Sequence, residues 1–347
     1  MLHRRMDIAS LEGNAVTAIS ILISGIFIYS AAISSASDQV SQAGQRPTVI
    51  IVVGAAGTEE YEAAFTQSAG LWRQAASKGN AKSLIIGLEE LEGEQDRTIL
   101  EKTLKNEPND TDQALWLVLI GHGTYDGRTA KFNFRGPDIS AEELAEWLQP
   151  CHRPLAVINT TSSSAPFLNK LSAPNRVIIT ATKSGFELNY TRFGQYLAEV
   201  IADPQADLDK DGQTSLLEAF LTASNKVAEF YSGAGRLATE HALLDDNGDA
   251  LGANADWFIG IRPVKKAADD ASLDGYRAHQ FYLIRSEAEN KMPPQMRAQR
   301  DRLELEVIKL RDAKDSFSED EYFSRLEKHL YEMAQIYEKL DQIENPH

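Results

Sequence analysis

Two short polar segments carry side chains that could perform acid–base and nucleophilic chemistry. The first is Gly121-His122-Gly123, which follows the apolar run Leu115–Ile120. The second is the hydroxyl-rich segment Asn159–Ser164, which follows the apolar run Leu155–Ile158. Histidine titrates near neutral pH and takes a proton from a hydroxyl that lies within hydrogen-bond reach. The two segments therefore have the composition of a two-residue site, in which His122 is the base and a hydroxyl is the nucleophile.

Both segments are expected at the same edge of a parallel β-sheet. Five apolar, β-branched runs predict strands at Thr48–Val53, Ser83–Ile86, Leu115–Ile120, Leu155–Ile158 and Arg176–Thr180. The helical stretches between them and after them are Glu59–Ser77, Glu94–Lys105, Ser140–Leu148 and Thr191–Ile201. This alternation predicts an α/β fold with a mostly parallel sheet and helices on both faces. Because ligands bind outside the carboxyl ends of such strands, we expect His122 and the hydroxyls to share a cleft.

The layout between Thr48 and Tyr231 resembles that of the caspase-like and legumain-like cysteine peptidases. His122 and its flanking glycines match the catalytic His-Gly that follows the third long strand in that family. Thr161 lies nearest to the position of the nucleophilic cysteine, and Ser162 takes that position if the alignment shifts by one residue. The resemblance implies a caspase-like fold in which His122, Thr161 and Ser162 are the candidate catalytic residues.

This chain has hydroxyls where the resemblance implies a thiol. A cysteine is partly thiolate near neutral pH, whereas a hydroxyl needs a base in direct contact and a third group that orients the base. The acidic residue nearest to His122 in sequence is Asp126, and the only cysteine, Cys151, is expected at the opposite edge of the sheet. We therefore expect a non-catalytic peptidase homologue that acts as a binding or scaffolding module. The alternative is an active peptidase or hydrolase that uses Thr161 or Ser162 with His122 as general base.

A third segment, Asp207–Glu218, has the oxygen-rich spacing of a calcium loop. Ca²⁺ binds about six to eight oxygen atoms, and Gly212 permits the sharp turn that such a loop needs. The candidate ligands at positions 1, 3, 5, 7, 9 and 12 are Asp207, Asp209, Asp211, the carbonyl of Gln213, Ser215 and Glu218. The segment resembles the EF-hand loop at every key position, and we predict that it binds Ca²⁺.

A second acidic segment, Asp245–Asp249, lacks the closing glutamate and is predicted to be a turn rather than another calcium site. A single loop indicates a structural ion of weak affinity, since EF-hand sensors usually work in pairs. The alternative of a regulatory ion, which orders the helices around residues 207–230, stays open.

Composition limits the class of protein and of partner. The 347 residues are 43% hydrophobic and 25% charged, which is sufficient for a sizeable core. A net charge of −16 argues against nucleic acid, because phosphate binding requires clustered basic residues. A single cysteine excludes an intramolecular disulfide and a thiolate metal cluster.

Residues 1–36 have the order of an export signal. Basic residues at positions 3–5 precede an apolar stretch from Ala15 to Ile33, and small residues follow it. The stretch is also long enough to stay in a bilayer. We expect an exported protein, periplasmic or extracellular, in which residues 1–36 are either cleaved or kept as an anchor through residues 15–35. Residues 37–46 then form a linker.

A charged helical arm, residues 263–347, is predicted to follow the α/β domain of residues 47–262. Its apolar stripe has the 4-3-4-3 spacing of a coiled coil or helical hairpin, at Leu326, Leu330, Met333, Tyr337 and Leu340. The stripe predicts either a self-packed helical pair or a surface for self-association or partner docking. A peptide or protein in the cleft is the other partner that we expect.

Overall fold

The computed structural model describes residues 46–89, 94–269 and 271–344. The predicted export segment, and the predicted linker apart from its last residue, lie outside these ranges. Within them, no helix combines the length and the apolar character needed to cross a membrane.

A seven-stranded, mostly parallel sheet forms the centre of the described structure. Its strands are β1 (Thr48–Val53), β2 (Lys82–Ile86), β3 (Leu115–Ile120), β7 (Leu155–Asn159), β8 (Arg176–Thr180), β9 (Leu243–Asp245) and β10 (Ala253–Asn254). They lie in the order β10-β9-β8-β7-β3-β1-β2. Strands β2, β1, β3, β7 and β8 pair in parallel, whereas β9 and β10 are antiparallel to their neighbours. The predicted α/β class and the mostly parallel sheet are confirmed.

Two small antiparallel sheets accompany the central one. One contains β4 (Gly123–Tyr125), β5 (Ala130–Phe132) and β6 (Ile139–Ser140), and the other contains β11 (Phe258–Ile259) and β12 (Arg262–Pro263). Two residues, Gly121 and His122, connect the end of β3 to the start of β4 and so separate the central sheet from the first small sheet.

Ten α-helices are present in the described ranges. They are α1 (Glu59–Lys78), α2 (Asp96–Asn106), α3 (Ala141–Leu148), α4 (Ala165–Leu171), α5 (Phe193–Val200), α6 (Leu216–Gly233), α7 (Tyr276–His279), α8 (Glu287–Lys291), α9 (Pro294–Asp312) and α10 (Glu319–Glu344). Helix α3 begins with a capping box, because Glu143 N donates to Ser140 Oγ at 3.1 Å and Ser140 N donates to Glu143 Oε2 at 2.9 Å.

The sheet is buried on both faces, which explains its uninterrupted apolar strands. Successive side chains of a strand point to opposite faces. In β3, Trp116 and Val118 pack with α1, α5 and α6, whereas Leu117 and Leu119 pack with α2, α3 and α4. Both faces therefore select apolar residues, and the alternation typical of a half-exposed strand is absent.

The chain beyond residue 262 begins with a segment that packs against the sheet domain. Ala278, Phe281 and Leu283 are buried in its core, and the Phe281 ring lies 5.2 Å from that of Trp116. Helices α9 and α10 follow and pack on each other. The division predicted at residue 262 is thus a change in composition, and the core continues past it.

The apolar seam of α10 differs from the predicted stripe. Leu326, Met333 and Leu340 are partly buried, but Leu330 and Tyr337 are 48% and 42% exposed. Tyr322, His329 and Ile336 are also shielded, and they alternate with these three partly buried residues at 4-3 spacing. A 3.5-residue repeat fits two adjacent stripes of this helix, and packing selected the one that starts at Tyr322.

Candidate catalytic cleft and calcium loop

The two polar segments that follow β3 and β7 are neighbours in the structure. Leu119 pairs with Asn159, and Thr160 N donates to Leu119 O at 3.0 Å. Two residues further on, Ser162 Oγ donates to Gly123 O at 3.1 Å. The strand-end positions that sequence analysis assigned to one cleft therefore lie side by side.

The glycines around His122 are explained by close backbone packing. A Cβ atom at Gly123 would lie 2.3 Å from Ser162 O and 2.6 Å from Thr161 Oγ1. At Gly121 it would lie 3.2 Å from the Cα atom of Gly54. The His-Gly pattern is thus required by the packing of three chain segments, whether or not the histidine takes part in chemistry.

The His122 side chain is directed at α1 and not at the hydroxyls. Its Nε2 lies 3.2 Å from Ala56 O, and its ring packs edge-on against the rings of Tyr61 at 4.7 Å and Phe65 at 5.3 Å. A carbonyl oxygen only accepts, so Nε2 carries the proton and donates it. Throughout the described ranges, no hydrogen bond joins this imidazole to a hydroxyl of residues 160–164.

The hydroxyls of the second segment are used to hold the chain. Thr161 is fully buried, and its Oγ1 lies 2.8 Å from Asn159 Oδ1 and 3.0 Å from Ser162 O. Thr160 Oγ1 donates to Leu119 O at 2.8 Å, as Ser162 does to Gly123. Each of these three hydroxyls therefore donates to an oxygen that cannot act as a base.

The loop after β8 covers the hydroxyl segment. Ser163 N donates to Glu187 O at 2.9 Å, and Thr191 Oγ1 donates to Thr160 O at 2.5 Å. Glu187 is held in turn by His241, whose Nδ1 lies 2.5 Å from Glu187 Oε1. A substrate would reach the segment only after this cover had opened.

The two other residues considered near this site lie apart from it. The exposed carboxylate of Asp126 accepts hydrogen bonds from the N–H groups of Thr129 and Arg128, which lower its pKa, and it does not orient His122. Cys151 lies in the connection that precedes β7, at the opposite end of that strand from Thr161. Burial raises the pKa of its thiol, which makes it a weak nucleophile.

The acidic loop of residues 207–218 brings three carboxylates together. Asp207, Asp209 and Asp211 each place an oxygen within 4.8 Å of the other two. Lys210 and Gly212 adopt left-handed backbone conformations, with φ values of 65° and 89°. These turn the chain so that Asp207 accepts from Lys210 N at 2.7 Å and from Gly212 N at 3.1 Å.

The predicted closing ligand, Glu218, is fully buried at the start of α6. Its Oε1 accepts from Leu208 N at 2.7 Å and from Asp209 N at 3.2 Å. Its Oε2 accepts from Ser215 N and Ser215 Oγ, both at 2.8 Å. Positions 9 and 12 of the loop are thus joined in a capping box, and the glutamate ties both ends of the loop together.

Two residues outside the predicted site contact the loop. His279 Nε2 lies 3.0 Å from Asp209 Oδ2, and Tyr282 OH donates to Asp211 Oδ2 at 3.4 Å. Burial raises the pKa of Tyr282, and the charges of Asp211 and Asp209 raise it further. Sequence analysis missed both residues because each follows the aspartate that it contacts by about seventy positions and belongs to no motif.

The donor atoms of the loop are of the kind that Ca²⁺ binds. Three carboxylates converge, and within the described structure no hydrogen bond reaches the main-chain oxygen of Gln213, the expected ligand at position 7. Hard oxygen donors of this kind suit Ca²⁺, whereas thiolates, which Zn²⁺ and Cu⁺ favour, are absent from the loop. Bound there, the ion would supply positive charge at the point where the three carboxylates meet.

Comparison with known proteins gives likenesses of fold alone. No family model matches this chain, and no curated protein matches it in sequence. Similar solved structures include the Drosophila initiator caspase Dronc, at 12% identity and a TM-score of 0.39, covering 58% of this chain and 80% of that one. Caspase-1 of Spodoptera frugiperda has 9% identity and a TM-score of 0.37, covering 58% and 85%. A Geobacter sulfurreducens protein has 11% identity and a TM-score of 0.33, covering 52% and 89%.

These likenesses, with TM-scores below 0.5, carry no argument about chemistry. What the structure itself defines is an α/β protein with a mostly parallel sheet. Hydroxyls occupy the carboxyl end of β7, and an acidic loop precedes α6.

Proposed function

We propose that this chain is a non-catalytic, caspase-like binding module with a calcium ion in the loop of residues 207–218. The observation that carries the non-catalytic part is the direction of the His122 imidazole, which donates to Ala56 O and not to a hydroxyl. A general base must reach the proton that it removes. Thr161 is buried under its own hydrogen bonds, so base and nucleophile are both occupied elsewhere.

The alternative, a hydrolase that uses Thr161 or Ser162, requires several changes at once. His122 would have to leave Ala56 and the aromatic rings that enclose it, and the cover formed by Glu187 would have to open. A third group would also have to orient the imidazole. Catalytic contacts often tighten when substrate binds, but here they would have to replace existing partners on both residues.

A peptidase assay separates the two functions. Wild type and Thr161→Cys, the latter combined with Cys151→Ser, are incubated with a peptide library with and without calcium. We expect no cleavage above the blank from either protein, because restoring a thiol does not bring the imidazole to it. Cleavage by wild type that is lost in His122→Ala, but kept in the exposed control His152→Ala, would establish the hydrolase instead.

The calcium part of the proposal is supported by what surrounds the loop. Leu216 N donates to Phe281 O at 2.8 Å, and Ser286 N donates to the side chain of Gln213 at 3.1 Å. Residues 279–286 thus lie along the loop and lead directly into α8, which α9 and α10 follow. An ion that fixes the loop would also fix the segment that precedes these helices, and its role in this proposal is therefore structural.

Isothermal titration with CaCl₂ tests the ion. We expect Asp207→Ala and Glu218→Ala to lose a binding event that wild type shows, while the exposed Asp112→Ala keeps it. Equal heats in all four proteins would remove calcium from this loop.

The ligand of the module is proposed to be a peptide or protein segment. A groove of about 630 Å³ lies beside the carboxyl end of β1, lined by Ala56, Phe65 and Arg135 among others. Export, with residues 1–36 cleaved or kept as an anchor, belongs to the same proposal. Cell fractionation of a tagged full chain tests it, and recovery in the cytoplasm alone would contradict it.

A further inference from the structure

The turn between β9 and β10 has the backbone of the calcium loop. Residues 4 and 6 of this turn, counted from Asp245, are Gly248 and Ala250, and both have left-handed φ values, of 83° and 64°. In the calcium loop the same two positions are Lys210 and Gly212, at 65° and 89°. An alanine seldom adopts this conformation, and its strain is kept only where the surrounding structure requires it.

The side-chain bonds of the two loops also correspond. In the turn, Asp245 Oδ1 accepts from Gly248 N at 3.0 Å, Asn247 Oδ1 from Asp249 N at 2.8 Å, and Asp249 Oδ1 from Leu251 N at 2.8 Å. These bonds join positions 1 to 4, 3 to 5 and 5 to 7. The calcium loop has the same three, accepted by Asp207, Asp209 and Asp211.

An independent observation distinguishes this turn from an ordinary one. Asp245 is only 1% exposed, and its second carboxylate oxygen, Oδ2, is buried with no hydrogen-bond partner in the described structure. A carboxylate oxygen that is shielded from water with no donor within hydrogen-bond distance is costly. Burial raises the pKa of Asp245, although the Ser172 hydroxyl and the Gly248 N–H beside this carboxyl group oppose the rise.

Two further buried carboxyl groups adjoin Asp245. Asp246 and Asp274 are also buried, and Asp246 accepts from the N–H groups of Gly275 and Ala278 at the start of α7. Asp274 receives one N–H bond, from Asp246, at 3.1 Å. Burial raises the pKa of Asp274 to about 9, with further contributions from Asp246 and from Asp245. Asp274 is therefore a neutral carboxylic acid near pH 7.

We propose that Asp245, Asn247 and Asp249 form a second Ca²⁺ site, with the main-chain carbonyl of Leu251 at position 7. The sequence concealed it because position 12 offers only the exposed Asp256, and the turn leads into a strand instead of a helix. Without a buried closing glutamate, this site binds more weakly than the loop of residues 207–218.

The test counts bound ions on the full chain, using CaCl₂ as probe, by titration calorimetry and native mass spectrometry. Wild type is expected to bind two ions. Asp245→Asn combined with Asp249→Asn should bind one ion, because Asn keeps the turn bonds but loses the charge. The exposed control Asp112→Asn and the strain-relieving Ala250→Gly should each keep two.

The variants also separate this site from the proposed calcium loop. Asp207→Asn should leave one ion, and losing that ion when Asp245→Asn and Asp249→Asn are added identifies the second site. If the double variant still binds two ions, or if Asp207→Asn alone abolishes all binding, the second site is overturned. One ion in wild type that only the Asp245 and Asp249 changes remove would support this site and overturn the first. If the double variant does not fold, Asp249→Asn alone replaces it, because Asp249 is partly exposed. This single variant is expected to bind the second ion about tenfold more weakly than wild type does.

Discussion

Replacing Glu218 by Gln tests how the acidic loop is held in the absence of an ion. The carboxylate is fully buried and accepts four hydrogen bonds, two on each oxygen. The amide keeps one oxygen but places an NH₂ group where the other was. If the oxygen continues to face Leu208 and Asp209, the NH₂ meets Ser215 N, and two donors then face each other.

The expected cost follows from those bonds. A buried main-chain N–H without an acceptor costs about 1–3 kcal/mol, and losing the bond from the Ser215 hydroxyl, which can reorient, adds about 0.5–1.5 kcal/mol. We therefore expect Glu218→Gln to lower the free energy of unfolding by about 2–4 kcal/mol in chelator. In calcium at a hundred times the dissociation constant, wild type gains about 2.7 kcal/mol more, and the variant should gain less.

The measurement is urea unfolding followed by circular dichroism, with EGTA and with calcium. Glu229→Gln is the matched control, since Glu229 is exposed on the same helix and its replacement should change stability by less than about 0.5 kcal/mol. If Glu218→Gln unfolds within that margin of wild type in EGTA, the four bonds do not hold the loop as we describe.

Three further predictions concern the strand ends, a buried acid and the arm. Gly123→Ala should lower the free energy of unfolding by about 1–3 kcal/mol, because the added Cβ lies 2.3 Å from Ser162 O; thermal unfolding with no change would contradict the packing. Burial raises the pKa of Glu240, although the hydrogen bonds that its carboxylate accepts from Arg192 N and Phe193 N lower it. The folded state therefore binds a proton that the unfolded chain releases, so stability should fall as pH rises above the ordinary value of 4.5, and Glu240→Gln should flatten that slope in urea unfolding between pH 5 and 7. Ile336→Asp should reduce helicity in far-ultraviolet circular dichroism, because Ile336 is 3% exposed; equal loss in the same substitution at Tyr337, 42% exposed, would refute the seam.

The central architecture could be predicted because it depends on short-range patterns. Apolar runs such as Leu115–Ile120 are too continuous for a half-exposed strand and require burial on both faces. The capping box of Ser140 and Glu143, and the left-handed turn at Gly212, are likewise decided within a few residues. Parallel order then places the segments after β3 and β7 at one edge.

The direction of the His122 imidazole could not be predicted in this way. Its partner Ala56 is 66 positions away, and Tyr61 and Phe65 come from α1, the helix that follows β1. The same limit applies to α10, where two stripes fit the 3.5-residue repeat and only packing on α9 selects one.

The sequence by itself determined the strands, the caps and the acidic turns, because each depends on neighbours along the chain and on burial averaged over a face. Tertiary structure alone decided which polar atoms meet a partner that is distant in the chain. The imidazole of His122 hydrogen-bonds to the carbonyl of Ala56, and the hydroxyl of Thr161 is buried. One carboxylate oxygen of Asp245 is buried without a donor. Hydrogen bonding acts over about 3 Å, so its outcome depends on atoms that only the folded chain brings together.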